Sequence, residues 1–209
     1  MFDAKLRRLI DPPLDAAGRR LAGWGLGANA TTLGGFVIGI AAVPLLALGQ
    51  FTAALIVILI NRLADGLDGA IARSRGPSDL GGYLDILCDF LFYGAVVFGF
   101  VLAAPVNHIA GAFLLFSFIG TGSSFLAFAI LAARHGWETS ERGRKSFFHL
   151  GGLTEGSETI AFFILVCLFP ADFPLLAWIF GAACWVTTLG RAVSAWTFLR
   201  REGGASLTL

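Results

Sequence analysis

Charged residues are scarce in this chain of 209 residues: Asp, Glu, Lys and Arg make up 14% of it, against 56% hydrophobic residues. Soluble domains carry about 25% charged residues. The shortage argues against an ordinary soluble domain and predicts an integral membrane protein, whose partner is the lipid bilayer. With a net charge of only +1, the chain also has no strongly basic character, and we expect no nucleic-acid partner.

Cysteine is rare as well. The chain has three, Cys88, Cys167 and Cys184, and each lies in an apolar segment. Their separations fit neither the spacing of zinc ligands nor a disulfide framework. We therefore expect all three to be small buried side chains.

Long apolar segments make up most of what remains. A helix needs about 20 mostly apolar residues to cross the hydrocarbon core. Six segments approach or exceed that length, and the predicted spans are 30–49, 51–72, 83–104, 108–133, 153–170 and 173–199.

The N-terminal region differs from these spans, because basic and apolar residues alternate in it. This pattern predicts an amphipathic helix on the membrane surface, and a disordered basic tail is the alternative. Pro12 and Pro13 are predicted to begin a second short helix there. We thus predict an all-α protein with an amphipathic juxtamembrane segment (1–25), a six-helix membrane catalytic domain (26–202) and a C-terminal tail (203–209).

Lysine and arginine are missing from three connections: between spans one and two, three and four, and five and six. The basic residues outside the spans all lie on the opposite side: Lys5, Arg7, Arg8, Arg19, Arg20, Arg73, Arg75, Arg134, Arg142, Arg144, Lys145, Arg200 and Arg201. Cytoplasmic loops carry such an excess. The pattern predicts a protein of the cytoplasmic (inner) membrane, with both termini and residues 65–89 on the cytoplasmic side.

Five of the 14 acidic residues lie within residues 65–89, at the ends of two predicted spans. Asp65 and Asp68 are three residues apart, and Asp85 and Asp89 are four apart, so each pair lies on one helix face. Four carboxylates facing one cavity repel one another unless a cation lies between them. Because the spans hold only two basic residues, Arg62 and Arg191, a Mg²⁺ or Mn²⁺ site is favoured over ion pairs.

The residues after Asp68 add a second indication. Gly69 and Ala72 have little side-chain bulk, so a ligand can approach the helix backbone closely. Arg73 can form a forked pair of hydrogen bonds with a phosphate. Acids, a metal and an arginine together predict a diphosphate substrate.

The spacing Asp65-x₂-Asp68-Gly69-x₂-Ala72-Arg73-x₇-Gly81-x₃-Asp85-x₃-Asp89 resembles the signature of the CDP-alcohol phosphotransferase (CDP-alcohol phosphatidyltransferase) family, class I. The length of the chain, its amphipathic start and its six predicted spans resemble that family too. The resemblance implies an enzyme that moves a phosphatidyl group from CDP-diacylglycerol, or a similar CDP-alcohol, to an alcohol hydroxyl and releases CMP. It also implies two Mg²⁺ or Mn²⁺ ions and a homodimer.

The resemblance further implies a role for each residue of the motif. Asp65, Asp68 and Asp85 would bind the metals, and Asp89 would complete the metal site and act as the general base. The implied CDP-binding residues are Asn29, Thr32, Asp65, Gly69, Ala72, Arg73 and Gly81. For Asn29, a helix N-cap is an equally open alternative.

The alcohol acceptor is not encoded in this motif. Its candidate pocket residues are Lys145, Thr154, Glu155, Glu158 and Arg191. Thr154-Glu155 resembles the amino-alcohol branch of the family, and the spacing predicts Glu155 and Glu158 on one face of span five. We therefore expect an uncharged or cationic acceptor. A salt bridge to Glu155 or Glu158 is the alternative for Arg191.

Two other functions are considered. Asn61-x₃-Asp65-x₂-Asp68 resembles a motif of intramembrane prenyltransferases acting on polyprenyl diphosphates, although those enzymes need about nine spans. A divalent-cation transporter is the non-enzymatic alternative. It is disfavoured because Arg73 and Arg75 would repel cations beside the acids.

Overall fold

The computed structural model describes residues 3–134 and 153–205, and α-helices dominate these ranges. They are α1 (Asp3–Gly23), α2 (Ala28–Ile40), α3 (Ala42–Ala47), α4 (Phe51–Arg75), α5 (Asp79–Ala103), α6 (His108–Arg134), α7 (Gly156–Leu168) and α8 (Phe173–Ala205). Two 3₁₀ turns, Pro105–Asn107 and Pro170–Asp172, connect α5 to α6 and α7 to α8. The predicted all-α class is confirmed, with no strand in the described part of the chain.

Four stretches are long and apolar enough to cross a membrane: Ala28–Ala47, Asp79–Ala103, Pro105–Leu131 and Pro170–Thr197. They correspond to the predicted spans one, three, four and six. Helix α4 has 25 residues, but Arg62 lies near its middle and Asp65 and Asp68 lie in its second half. Helix α7 has 13 residues, and at about 1.5 Å per residue it is shorter than the hydrocarbon core. The membrane class is therefore supported by four apolar helical stretches.

Several predicted boundaries differ from the structure. The first span is two helices, because α2 ends at Ile40 and α3 begins at Ala42. The predicted second helix at Pro12 is wrong: α1 is continuous through both prolines. Both prolines are exposed, so backbone groups that lose a hydrogen bond there are near solvent. The helix of predicted span five, α7, begins at Gly156 rather than at residue 153, because Glu155 is its N-cap.

Aromatic rings fill the core where α5 meets its neighbours. Phe100 stacks on Phe173 with ring centroids 4.6 Å apart and on Phe51 at 5.7 Å. Phe92 and Phe163 meet edge to face at 6.3 Å. These contacts tie α5 to α4, α7 and α8. The three cysteines are buried, as expected.

Helix α2 packs very closely against the middle of α4, and two glycines allow it. A Cβ atom at Gly35 would lie 2.6 Å from Cβ of Ala64, and one at Gly39 would lie 2.7 Å from Nδ2 of Asn61. Such distances are shorter than any ordinary contact, so only glycine fits at both positions. This close approach brings α2 against the part of α4 that carries the acids.

The packing gives a testable prediction for Gly35. A Gly35→Ala substitution should destabilise the protein by about 1–3 kcal/mol, because the added methyl group overlaps Ala64. For a chain of this size, that corresponds to roughly 2–4 °C of melting temperature per kcal/mol, measured by thermal unfolding in detergent. The matched control is Gly34→Ala, since a Cβ there meets no described atom within 4 Å. Equal melting temperatures for the two variants would contradict the packing argument.

Helix α1 lies across the charged end of α4. A Cβ at Gly18 would lie 2.6 Å from Cβ of Ala70, and one at Gly66 would lie 2.8 Å from a methyl carbon of Leu14. Asp15 accepts hydrogen bonds from Arg73, and the carbonyl of Ala22 accepts one from Arg75. The N-terminal helix is therefore docked on the acidic helix by small residues and two arginines.

Candidate metal centre and active site

Four acidic side chains meet where α4 and α5 run side by side. Asp65 and Asp68 lie one turn apart on α4, and Asp85 and Asp89 lie one turn apart on α5. One carboxylate oxygen each from Asp65, Asp68 and Asp85 lie within 4.8 Å of one another. Asp89 is not a member of this group of three. The structure thus brings the four predicted acids together but distinguishes one of them.

Asp68 is the most deeply placed of the group. The residue is 4% exposed, and its Oδ2 is buried with no hydrogen-bond partner in the described part of the chain. A buried carboxylate oxygen is costly unless a donor or a cation compensates it. Three converging carboxylates with an unpaired buried oxygen fit a hard divalent cation such as Mg²⁺ or Mn²⁺.

A cleft opens beside these acids between α2, α4 and α5. Its lining is formed by Thr32, Gly35, Phe36, Asn61, Arg62, Asp65, Asp68, Cys88 and Asp89. One wall is therefore acidic and the opposite wall is built from α2.

Arg62 also lines this cleft. From the sequence alone, it was a candidate only for an ion pair with an acid. Its Nη2 lies 2.9 Å from Oδ1 of Asp89, and its Nη1 lies 3.6 Å from Oδ2 of Asp65. Nη1 also donates to the hydroxyl of Tyr93 at 3.1 Å. Tyr93 was missed entirely. In the sequence, only its position four residues, about one helical turn, after Asp89 could have indicated it.

The predicted CDP-binding residues lie around the same end of the bundle. Thr32 is buried, lines the cleft and donates to the carbonyl of Ala28. The N-cap alternative for Asn29 is wrong, because Gly27 is the N-cap of α2 and Asn29 is inside the helix. A Cβ at Gly81 would lie 3.1 Å from Oδ1 of Asn29, so the start of α5 packs on that side chain.

Gly69, Ala72 and Arg73 follow Asp68 along α4. A Cβ at Gly69 would lie 3.3 Å from Nη1 of Arg73, so the glycine leaves room for the guanidinium. Arg73 is half-exposed and donates to Oδ1 of Asp15 on α1 at 2.7 and 3.1 Å. An exposed pair of this kind contributes little stability. A phosphate could therefore compete with Asp15 for Arg73.

The structure brings part of the predicted acceptor set together, since Arg191 lies close enough to Glu155 for their charges to interact. Glu155 lies before α7 as its N-cap rather than on its face, which corrects the prediction of a shared face with Glu158. The two form a capping box. The backbone N–H of Glu155 donates to Oε2 of Glu158 at 3.2 Å, and the Glu155 side chain accepts from the backbone N–H of Glu158. The local pattern Glu-x-x-Glu at a helix start explains the difference.

Thr154 and Arg191 bond to other helices. The Thr154 hydroxyl is buried and donates to Oγ1 of Thr187 on α8 at 3.1 Å. Arg191, also on α8, donates from Nη1 to the carbonyl of Thr121 on α6 at 3.2 Å, and it lies 5.7 Å over the ring of Phe125. Lys145 lies outside the described residues.

The start of α7 is close to the acidic cleft. A Cβ at Gly156 would lie 3.8 Å from the hydroxyl of Tyr93, which itself accepts from Arg62. Thr154 and Glu155 therefore precede a helix end that adjoins the Asp89 side of the site.

Fold and cleft together define a helical membrane protein with an acidic, metal-compatible site between two neighbouring helices. The chain belongs to the CDP-alcohol phosphatidyltransferase family, whose sequence profile matches residues 26–192. It is therefore a membrane transferase of phospholipid biosynthesis, and the resemblance carried by the acidic motif is confirmed.

Several relatives are similar over much of the chain. The inner membrane protein YnjF of Escherichia coli (strain K12) is 57% identical over 201 residues, covering 96% of this chain and 98% of the relative. An archaetidylinositol phosphate synthase of Pyrococcus horikoshii is 34% identical over 105 residues, which is 50% of this chain and 56% of that protein.

Solved structures of Mycobacterium tuberculosis phosphatidylinositol phosphate synthase (PgsA1) share the fold. The complex with CDP-DAG has a TM-score of 0.62 at 25% identity, covering 88% of this chain and 94% of the other. The complex with manganese and citrate has a TM-score of 0.61 at 26% identity, covering 88% and 89%.

Proposed function

We propose that this protein transfers a phosphatidyl group from CDP-diacylglycerol to the hydroxyl of a small alcohol and releases CMP. The observation that carries the proposal is the arrangement of the acids: Asp65, Asp68 and Asp85 each bring one oxygen within 4.8 Å of the others, and Asp89 stands beside them. Oδ2 of Asp68 is buried and has no hydrogen-bond partner in the described part of the chain. The family membership supports the reaction type. The CDP-DAG complex of the structural relative supports the donor.

In this proposal, Asp65, Asp68 and Asp85 would hold one divalent cation, and Asp89 would complete the site of a second ion that enters with the donor. Bound Mg²⁺ or Mn²⁺ would supply positive charge against the diphosphate oxygens of the donor. The manganese complex of a structural relative supports this cofactor class. The CDP group would lie against Asn29, Thr32, Gly69, Ala72, Arg73 and Gly81, with Arg73 exchanging Asp15 for a phosphate.

Asp89 is the proposed general base. Its carboxylate takes the proton of the acceptor hydroxyl while the hydroxyl oxygen forms a bond to the phosphorus that carries diacylglycerol. The bond from that phosphorus to the CMP oxygen breaks, and CMP leaves with the electron pair. Arg62 keeps the Asp89 carboxylate oriented by a 2.9 Å contact during proton transfer.

The membrane arrangement is part of the same proposal. Residues 26–202 would form the catalytic membrane domain, with α4 and α7 completing six spans. The sequence pattern of basic residues supports cytoplasmic termini and a cytoplasmic active site in the inner membrane. Such a site can meet a water-soluble head group while the lipid chains of the donor stay in the bilayer. A homodimer is proposed from the family resemblance.

The acceptor gives the second testable prediction. We expect an uncharged or cationic alcohol to be used best, because the carboxylates of Glu155 and Glu158 lie at the α7 start beside the Asp89 side of the cleft. The measurement is CMP release and lipid product with purified protein, CDP-diacylglycerol and Mn²⁺, using glycerol, serine, ethanolamine, choline and inositol as acceptors.

The same assay separates the competing outcomes. Inositol phosphate and glycerol 3-phosphate are included, because the named synthases form lipids with an inositol phosphate head group. A phosphorylated alcohol as the best acceptor would contradict the acceptor prediction while leaving the donor intact. Inorganic diphosphate as the leaving group, from a prenyl diphosphate, would instead refute the proposed function.

A further inference from the structure

Arg62 is placed in the acidic cleft by an unusual number of contacts. Its side chain is 9% exposed, although arginine is rarely buried without partners. Nε and Nη2 donate to Oδ1 of Asn61 at 2.8 and 2.6 Å, and Nη1 donates to the hydroxyl of Tyr93. The guanidinium lies over the rings of Phe92 at 4.6 Å and Tyr93 at 5.2 Å. Two helices, α4 and α5, therefore hold it from several sides.

Asn61 extends this support to a third helix. Its Nδ2 donates to the carbonyl of Gly35 on α2 at 2.9 Å, in the space that Gly39 leaves open. Asn61 is thus held by the backbone of α2, and its Oδ1 accepts from Arg62. The chain of contacts runs from the α2 backbone through Asn61 and Arg62 to Asp89.

The consequence is a permanent positive charge beside two of the four acids. A guanidinium does not lose its proton in proteins, so its charge is always present. It contacts Asp89 at 2.9 Å and approaches Asp65 at 3.6 Å, the two acids that lie on its side of the cleft. It makes no contact of this kind with Asp68, whose Oδ2 stays unpaired among the described residues.

We propose that Arg62 is a positioning residue that acts as a built-in cation for Asp89. In the substrate-free protein it occupies the place that a second divalent ion would otherwise take beside Asp89. One divalent ion then binds at Asp65, Asp68 and Asp85, and Asp89 is held ready to accept the hydroxyl proton. The role of Asp89 as proton acceptor rests on the proposed transferase function, whereas the number of bound ions does not.

The decisive experiment counts ions in the absence of nucleotide. Mn²⁺ binding is measured by electron paramagnetic resonance on purified wild-type protein, Arg62→Gln, Arg62→Lys and Arg75→Gln. We expect one tightly bound Mn²⁺ per wild-type chain. Arg62→Gln should bind a second Mn²⁺ about 10–100-fold more tightly than the wild type does, the range for altered supporting contacts in metal sites. Arg62→Lys, which keeps the charge, should retain one ion.

Arg75→Gln is the matched control, because Arg75 lies on the same helix, is exposed and bonds to the Ala22 carbonyl outside the cleft. It should bind one ion. Two equivalent ions in the wild type, or an unchanged count in Arg62→Gln, would overturn the proposal. If Arg62→Gln fails to fold, Tyr93→Phe removes one hydrogen bond from Arg62 and keeps the ring. It should tighten the second ion by a smaller factor, and no change would count against the proposal.

The kinetic readout separates positioning from general stability. Arg62→Gln should lower kcat by about 10²-fold through misplacement of Asp89, with the KM for CDP-diacylglycerol changed less than about threefold. Arg62→Lys should recover part of kcat. A loss confined to KM, or no recovery with lysine, would overturn the positioning role. Absence of transfer in the wild type would refute the proposed function. The number of bound Mn²⁺ ions would still test whether Arg62 takes the place of a second ion.

Discussion

An Asp89→Asn variant is expected to lose transfer activity while the protein still folds and still binds CDP-diacylglycerol. Removing a general base lowers kcat by about 10²–10⁴-fold, since the asparagine amide cannot accept the hydroxyl proton. The fold should persist because the amide oxygen can still accept from Nη2 of Arg62, which now lies 2.9 Å from Oδ1 of Asp89. Asp89 also lies outside the group of three converging carboxylates, so Mn²⁺ binding at Asp65, Asp68 and Asp85 should survive.

Three measurements check this expectation: CMP release, binding of CDP-diacylglycerol, and Mn²⁺ binding in the same detergent. Asp79→Asn is the control, because Asp79 is exposed in the first turn of the same helix and is not part of the cleft. It should keep wild-type activity. Full activity of Asp89→Asn would remove Asp89 from the base role. Loss of CDP-diacylglycerol binding would indicate that Asp89 binds the donor rather than accepting the hydroxyl proton.

Asp68→Asn should have the opposite signature: loss of the metal with no loss of stability. Asp68 is the most buried acid of the group, and its Oδ2 has no hydrogen-bond partner among the described residues. Replacing it removes a ligand and a negative charge together. Mn²⁺ affinity should fall by at least about 100-fold, beyond the 10–100-fold typical of a lost supporting contact. Activity should be lost with it.

Stability is the discriminating readout for this variant. Without metal, Asp68→Asn should melt no lower than the wild type, because it relieves repulsion from Asp65 and Asp85. With Mn²⁺, the wild type should melt higher and the variant should not, because only the wild type binds the ion tightly. Asp172→Asn is the control, since that residue lies beyond the far end of α7. If Asp68→Asn lowers the melting temperature in EDTA and keeps Mn²⁺ affinity, Asp68 is structural.

The two variants together separate the roles within one acidic cluster. Asp89→Asn leaves the metal and removes the reaction, whereas Asp68→Asn removes both. Arg62→Gln gives a third pattern, in which an additional ion binds and kcat falls. Variants that act through general unfolding would instead lower all readouts in parallel.

Much of this protein could be predicted without coordinates, because the informative features are local. A shortage of charge and long apolar runs indicate membrane helices. The spacings Asp65–Asp68 and Asp85–Asp89 place each pair of acids on one helix face, since the α-helix repeats every 3.6 residues. The family motif is a set of such local spacings. This is why the family and the transferase class could be predicted while several boundaries were wrong.

Errors arose at helix ends and at contacts between helices. Glu155 looked like part of a helix face and is instead an N-cap held by Glu158. Pro12 looked like a helix start, yet α1 continues through it. Asn29 looked like a possible cap and packs against Gly81 on another helix.

The sequence by itself determined the membrane class, the family and the four acids, since these follow from composition and from spacing along single helices. Only the tertiary structure decided which acid pairs closely with Arg62. Arg62 is three residues before Asp65, but its close partner is Asp89 on the next helix. That pairing depends on how closely α2, α4 and α5 approach, which is set by Gly35 and Gly39 and by the rings of Phe92 and Tyr93. Contacts between residues distant in sequence arise only when helices pack, so no spacing along one helix could reveal them.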